Sequence, residues 1–380
     1  MKLCFNKRMG KSSHKKSKRI TSRKSRLQKV GLPPGSLVYT GESKNQPPII
    51  TVFDYDAKQV REETLSPDQV PALSLPKSGV RWVNVYGVHD IALIQKIGVA
   101  FQLHPLVMED IVNTSNRPKD DVFTHQLFIL AQFFNYDSSE LNVTQNQVSI
   151  VLGKHYVLTF QEHQSGAFES VRKQLRAEGS HIRSQGADYL AYALLDSIVD
   201  RYFLVLDQLS DDCERMEDVL LTKPTTNTLN QIYRLKGETM ELRRSVWPLR
   251  EVINHLVRNE NQFFSESTVF YLRDVYDHTV HFIESLEAIR DMLASMLDIY
   301  ISTLSNRVNM EVRALTVVAM LFMPATLIAG IFGMNTQWLP WHEDVNGFWY
   351  VIAIMVGIAL VMGLIFWRRQ WLNKSRISDD

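Results

Sequence analysis

The run ALTVVAMLFMPATLIAGIF, residues 314–332, carries no charge and is followed directly by Gly333-Met334-Asn335. Nineteen helical residues rise about 28 Å, the thickness of a bilayer's hydrocarbon core. A second uncharged run, FWYVIAIMVGIALVMGLIFW at residues 348–367, has the same reach. The two predict a transmembrane hairpin, with spans over 314–335 and 348–367 joined by an extracytosolic loop over 336–347. Arg307 and Arg313 precede the first span, and Arg368, Arg369, Lys374 and Arg376 follow the second. The loop between them holds Glu343 and Asp344 but no Lys or Arg. The positive-inside bias therefore places both termini in the cytosol of a multi-pass protein of the inner or plasma membrane, with a basic C-terminus over 368–380. Trp338, Trp341, Trp349 and Tyr350 at one end, and Trp367 and Trp371 at the other, match interfacial aromatic belts. Ala353 with Gly357, and Ala359 with Gly363, give the small-residue spacing that lets helices approach closely. A plain tail anchor would share these features.

Upstream, residues 265–310 hold apolar residues at helical intervals with neither Pro nor Gly, and enter the first span without a stop signal. A cytosolic stalk over 263–313 continuing into the span makes one helix of about 70 residues, roughly 100 Å long, too long to bury itself in one chain. It implies a bundle of copies. At about 100° per residue, Asn309, Val312, Leu315, Ala319, Met323, Thr326 and Gly330 share one uncharged face. Any apolar helix has such a stripe, and periodicity alone leaves ordinary packing open. Its small and mildly polar content, and Pro324, which cannot donate to the Met320 carbonyl, favour a pore wall. Magnesium sheds water reluctantly, so a ring of neutral Asn335 amides would accept hydrogen bonds from its hydration shell without trapping it. Gly333 would supply the backbone freedom to leave the helix, Met334 would pack beneath the Asn, and Glu343 and Asp344 would concentrate cations.

The cytosolic region over 36–262 begins with apolar runs at 49–53, 82–86, 127–130, 147–152 and 156–160 that read as strands. Helical stretches near 89–100 and 104–112 interrupt them. The last two runs form a hairpin around Gly153-Lys154-His155. Long amphipathic helices follow from about 167, with Pro224 and Pro248 marking turns or kinks. The fold class is therefore α+β, followed by a stalk helix and a membrane hairpin. Residues 1–35 are expected to be a disordered tail. Its first 30 residues hold twelve Lys or Arg and no acid, which makes anionic membrane lipid a possible partner and leaves 30 basic against 41 acidic groups elsewhere. That acidic body suits cations and gives no expectation of nucleic acid. Cys4 and Cys213 have no metal-finger spacing, the basic start lacks the apolar stretch of a secretory signal, and no hydrolase, metalloprotease or nucleotide-loop motif is present. An enzyme is not expected.

With Gly333-Met334-Asn335 ending the first of two C-terminal spans, three further segments carry a family resemblance. They are Phe322-Met323-Pro324, the run from Arg273 to His278 (RDVYDH), and the run from His104 to Ile111 (HPLVMEDI). Together they resemble the CorA family of magnesium transport proteins over residues 45–372. The resemblance implies a funnel-shaped homopentamer of αβα domains around a central pore, with Gly333, Met334 and Asn335 as the selectivity filter. It also implies pore-facing Asn309, Val312, Leu315, Met323, Thr326 and Gly330, and a hydrophobic gate at Val312 and Leu315. Regulatory Mg2+ would bind between subunits at Asp110 and Asp274 with Glu109 nearby, so the ion is both transported and regulatory. Loss of that ion would let repelling acids splay the subunits.

Two departures matter. Many family members follow the filter with an acidic MPEL-like stretch, whereas Thr336-Gln337-Trp338-Leu339-Pro340-Trp341 stands here. Val312 is also smaller than the Met frequent at the gate. The expected function is Mg2+ influx, with Co2+ and Ni2+ as secondary ions, gated by cytosolic Mg2+. The alternative is Zn2+ transport on the same fold, against which the stripe's lack of His and Cys argues. A membrane-anchored cytosolic scaffold or enzyme is the reading from another class.

Overall fold

Seven β-rich runs pair into one sheet in a computed structural model that describes residues 31–41, 47–70, 73, 76, 78–222, 224–258, 260, 262–334, 340–341 and 345–368. The strands are β1 (Ile49–Tyr55), β2 (Val60–Leu65), β3 (Val80–Tyr86), β4 (Lys119–Phe123), β5 (Gln126–Asp137), β6 (Asn142–Leu152) and β7 (Tyr156–Gln161), in spatial order β2-β1-β3-β7-β6-β5-β4. β3 pairs with β7 in parallel, and the other pairings are antiparallel. Side chains alternate between the two faces of the sheet. One face sends Ile50, Val52, Val83, Val85, Phe128, Leu130, Leu158 and Phe160 into a core with helices α1 (Ile91–Phe101) and α2 (Pro105–Val112). Asp90 caps α1 through the Leu93 N–H, and His104 caps α2 through the Leu106 N–H, with Pro105 opening the helix.

The other face carries Phe53 stacked on Trp82, which meets Phe168 edge-on just before α3 (Glu169–Arg176). Helix α4 (Ala187–Thr222) packs on β5, its Tyr202 hydroxyl donating to the Gln132 carbonyl over 2.5 Å. Helices on both faces make this α/β region an αβα sandwich. The chain turns at Pro224 into α5 (Thr226–Arg258), which runs on through Pro248. Two strands go beyond the sequence expectation, β2 (VREETL) and β4 (KDDVF). Both are edge strands whose charged residues, exposed on β2 and partly buried on β4, hide the β pattern.

Helix α6 (Glu266–Phe332) is continuous over 67 residues, close to the expected length. The Asp188 carboxylate on α4 anchors its start, accepting from the Ser265 N–H and hydroxyl and from the Thr268 hydroxyl at 2.8–3.0 Å. Leu272, Val275, Phe282, Leu286, Ile289, Leu293 and Met296 recur at helical spacing and are buried, Phe282 against Tyr202. The chain divides into two compact units at Ser295 and Met296. The second unit contains the rest of α6 and helix α7 (Gly347–Arg368), both long and apolar enough to cross a membrane.

Candidate functional site

Within the second unit the less exposed positions of α6 fall on one side. Val317 is buried, and Leu321, Pro324, Ala325, Ile328 and Phe332 are partly covered. On α7 the corresponding set is Val351, Met355, Ile358, Met362 and Phe366. At about 100° per residue the covered face of α6 lies roughly opposite the stripe Asn309, Val312, Leu315, Ala319, Met323, Thr326 and Gly330. Every member of that stripe is exposed, Leu315 and Met323 by 71 % and 68 %. An apolar face left bare on that scale needs lipid or other copies of the chain to cover it. Gly357 and Gly363 on α7 also face open space, where a β-carbon would meet nothing within 4 Å.

The Thr326 hydroxyl donates back to the Phe322 carbonyl at 2.9 Å, as Thr316 does to Val312 at 2.8 Å. Beyond Phe332 the Gly333 N–H still donates to Ala329, whereas the Met334 N–H reaches back only three residues, to Ile331. The helix therefore tightens as it ends. Gly333 does not take a left-handed conformation there. What the glycine supplies is room, because a β-carbon would come 3.0 Å from the Ala329 carbonyl oxygen. Met334 is 58 % exposed. Asn335, Glu343 and Asp344 lie outside the described residues, as do residues 1–30 of the tail expected over 1–35.

The three acids expected to hold regulatory metal have different surroundings. Glu109 accepts from the Gly35 N–H at 2.6 Å. Asp110 is partly buried at the end of α2, accepting from Asn116 Nδ2 at 2.8 Å and pairing with Lys119 Nζ at 2.8 Å. Asp274 sits on the exposed side of α6, its carboxylate 3.9 Å from His278 Nε2 one turn on.

His278 belongs to a cluster that the sequence reading missed. Asp196 and Asp200, one turn apart on α4, and His278 on α6 each bring a ligand atom within 4.8 Å of the others. In an octahedral shell of radius about 2.1 Å, donors are spaced about 3.0 to 4.2 Å apart, so small shifts or one bridging water would close the set around a hard divalent ion. Burial pushes the Asp196 carboxyl up to about 6, helped by Asp200 and Asp274 and opposed by His278. Such a carboxylate gains from an arriving cation. His278 Nδ1 is buried without a hydrogen-bond partner among the described residues. A cavity of about 150 Å³ lined by Tyr189, Tyr192, Ser170 and Ser197 opens onto Asp196 and Asp200. The available signal was the D-x-x-x-D spacing from 196 to 200, which puts both carboxylates on one helix face.

Comparison with known proteins agrees with this architecture. Residues 77–369 match the family model described as CorA-like Mg2+ transporter protein. The cobalt/magnesium transport protein CorA of Thermotoga maritima is 38 % identical over 344 residues, covering 90 % of this chain and 98 % of that one. The protein of the same name from Methanocaldococcus jannaschii is 26 % identical over 295 residues, 77 % of this chain and 91 % of that one. The complete structure of the CorA magnesium transporter from M. jannaschii superposes with a TM-score of 0.72 at 22 % identity, covering 87 % of this chain and all of that one.

Proposed function

The chain belongs to the CorA-like Mg2+ transporter family, a family of ion transporters rather than enzymes, and from that premise we propose how it works. Five copies surround a pore through which hydrated Mg2+, and secondarily Co2+ and Ni2+, enters the cytosol down its electrochemical gradient. The observation that carries this reading is the bare, uncharged stripe of α6 opposite the face covered within the hairpin. Copies that turn this stripe inward line a channel with Asn309, Val312, Leu315, Ala319, Met323, Thr326 and Gly330. Val312 and Leu315 form a hydrophobic constriction at the cytosolic end, which gates by dewetting. Gly333, Met334 and Asn335 form the outer filter. The charge bias of the flanks supports cytosolic termini.

Closure follows cytosolic Mg2+. Two groups of side chains suit the sensor: Asp110 with Glu109 and the Asp274 of a neighbouring copy, and the cluster of Asp196, Asp200 and His278, next to which Asp274 lies. Bound cations neutralise carboxylates that otherwise repel, and the symmetric closed assembly persists while they stay. The stripe offers no His or Cys, which favours Mg2+ over Zn2+ as cargo.

Reconstituted Asn335→Ala protein is expected to assemble normally but to pass little or no Mg2+ into liposomes, since the amide ring that receives the hydrated ion is removed. Flux equal to the parent's would remove Asn335 from the filter. Zinc flux without magnesium flux in the parent would transfer the reading to zinc.

A further inference from the structure

Strand alternation decides where the charges of β4 go. Lys119 and Asp121 lie two residues apart and share the face that α2 covers, while Asp120 between them turns to the other face, where it meets His255 of α5 at 3.3 Å. On the α2 side, Lys119 Nζ sits 2.8 Å from Asp110 and 2.5 Å from Asp121. Two carboxylates thus share one ammonium, and the group keeps a net charge of −1.

The surroundings are richer in acceptors than in donors. Gln132 and Gln147 face each other across β5 and β6. Their amide nitrogens donate to the Asn116 and Asp110 carbonyls, both at 2.8 Å, which fixes their orientation. Each side chain is more than nine-tenths buried, and each amide oxygen is without a partner among the described residues. Asn116, whose Nδ2 holds the second Asp110 oxygen, takes its own donor from Asn113 at 2.7 Å. Surplus buried oxygens beside an under-neutralised carboxylate pair form a place that seeks positive charge.

We propose that the Lys119 ammonium is a tethered occupant of this place, and that a divalent cation reaching Asp110 must displace it. This rests on the reading of Asp110 as a regulatory ligand. Exchange improves the charge balance of the group from −1 to zero, since a dication between Asp110 and Asp121 neutralises both where the lysine neutralises one. The displaced ammonium is close to solvent, because the Lys119 side chain is 39 % exposed on a flexible stem. The lysine therefore sets the threshold at which cytosolic Mg2+ closes the channel: a cell-supplied ion must outcompete a charge that is always present at high effective concentration.

The test is Mg2+ inhibition of flux through the full-length protein in liposomes, with Lys119→Gln, Lys119→Arg, Asp110→Asn and the Asp110→Asn/Lys119→Gln pair. Lys119→Gln is expected to lower the half-inhibiting Mg2+ concentration about tenfold, within the usual range of a coupling between sites. Lys119→Arg, which retains the charge, keeps or raises that concentration, and so controls for a fold lost with the lysine. Asp110→Asn raises it, and adding Lys119→Gln to Asp110→Asn changes it no further. If Asp110→Asn raises the concentration while Lys119→Gln leaves it unchanged, the competition is refuted and Asp110 remains a ligand. If neither single variant moves it, Asp110 is no ligand and the inference falls with that reading.

Discussion

Asp196 is ionised only against the cost of burial and of two neighbouring carboxylates, which is why its carboxyl titrates near 6 rather than at the ordinary 3.8. A folded-state value above the unfolded one means that the folded protein binds the extra proton across this interval. The associated stability is present below 3.8 and is lost as pH rises through about 6. Without divalent ions, the melting temperature is expected to fall over that interval, and millimolar Mg2+ at pH 7 to raise it again by replacing the proton. Asp196→Asn, measured by calorimetry, should flatten both responses. A pH slope that survives the substitution would assign the titration elsewhere. This residue was hard to find in the sequence because its partners lie on another helix. The D-x-x-x-D spacing places Asp196 with Asp200, but nothing local announces that His278, 78 positions after Asp200, completes the group.

At the scale of elements, the long uncharged and unbroken runs were the most legible. The hairpin spans and α6 end within a few residues of where hydropathy and the absence of breakers put them, because length and apolarity act over many residues at once. The central strands were legible through β-branched and aromatic runs. The edge strands β2 and β4 were not, since an edge is protected by charge and so loses the pattern that marks a strand. The entry into α6 depends on a cap from another helix. Asp188→Ala removes the acceptor of the Ser265 N–H and leaves the Ser265 and Thr268 hydroxyls only each other and Ser267 as partners, and should cost about 1 to 2 kcal/mol in denaturant unfolding of the full chain. Asp188→Asn, which retains an acceptor oxygen, should cost less.

For the whole molecule, the sequence reading of α+β layers, stalk helix and membrane hairpin agrees with the fold and with the family match. The number of copies is a matter for measurement. Mass determination of the detergent-solubilised complex should return five times the 43.8 kDa chain. A stable monomer would leave the exposed stripe of α6 to lipid and remove the pore with it. The uncharged stripe proposed to line the pore offers little to a search for chemistry, since a wall that lets an ion pass holds few groups that would grip it.

In the proposed pore, the hydrogen bond from Thr326 to Phe322 bears on the sign of the permeating ion. Each hydroxyl commits its single proton to its own helix and is left with lone pairs alone to offer outward. Water around a cation presents its hydrogens to the surroundings, and water around an anion presents oxygen. A ring of such hydroxyls can receive the first kind of hydration shell and has nothing to give the second. Discrimination between ions of opposite sign would then follow from the direction of a hydrogen bond, with no charged side chain in the wall. Thr326→Val should preserve the helix while reducing the preference for cations over anions in reversal-potential measurements.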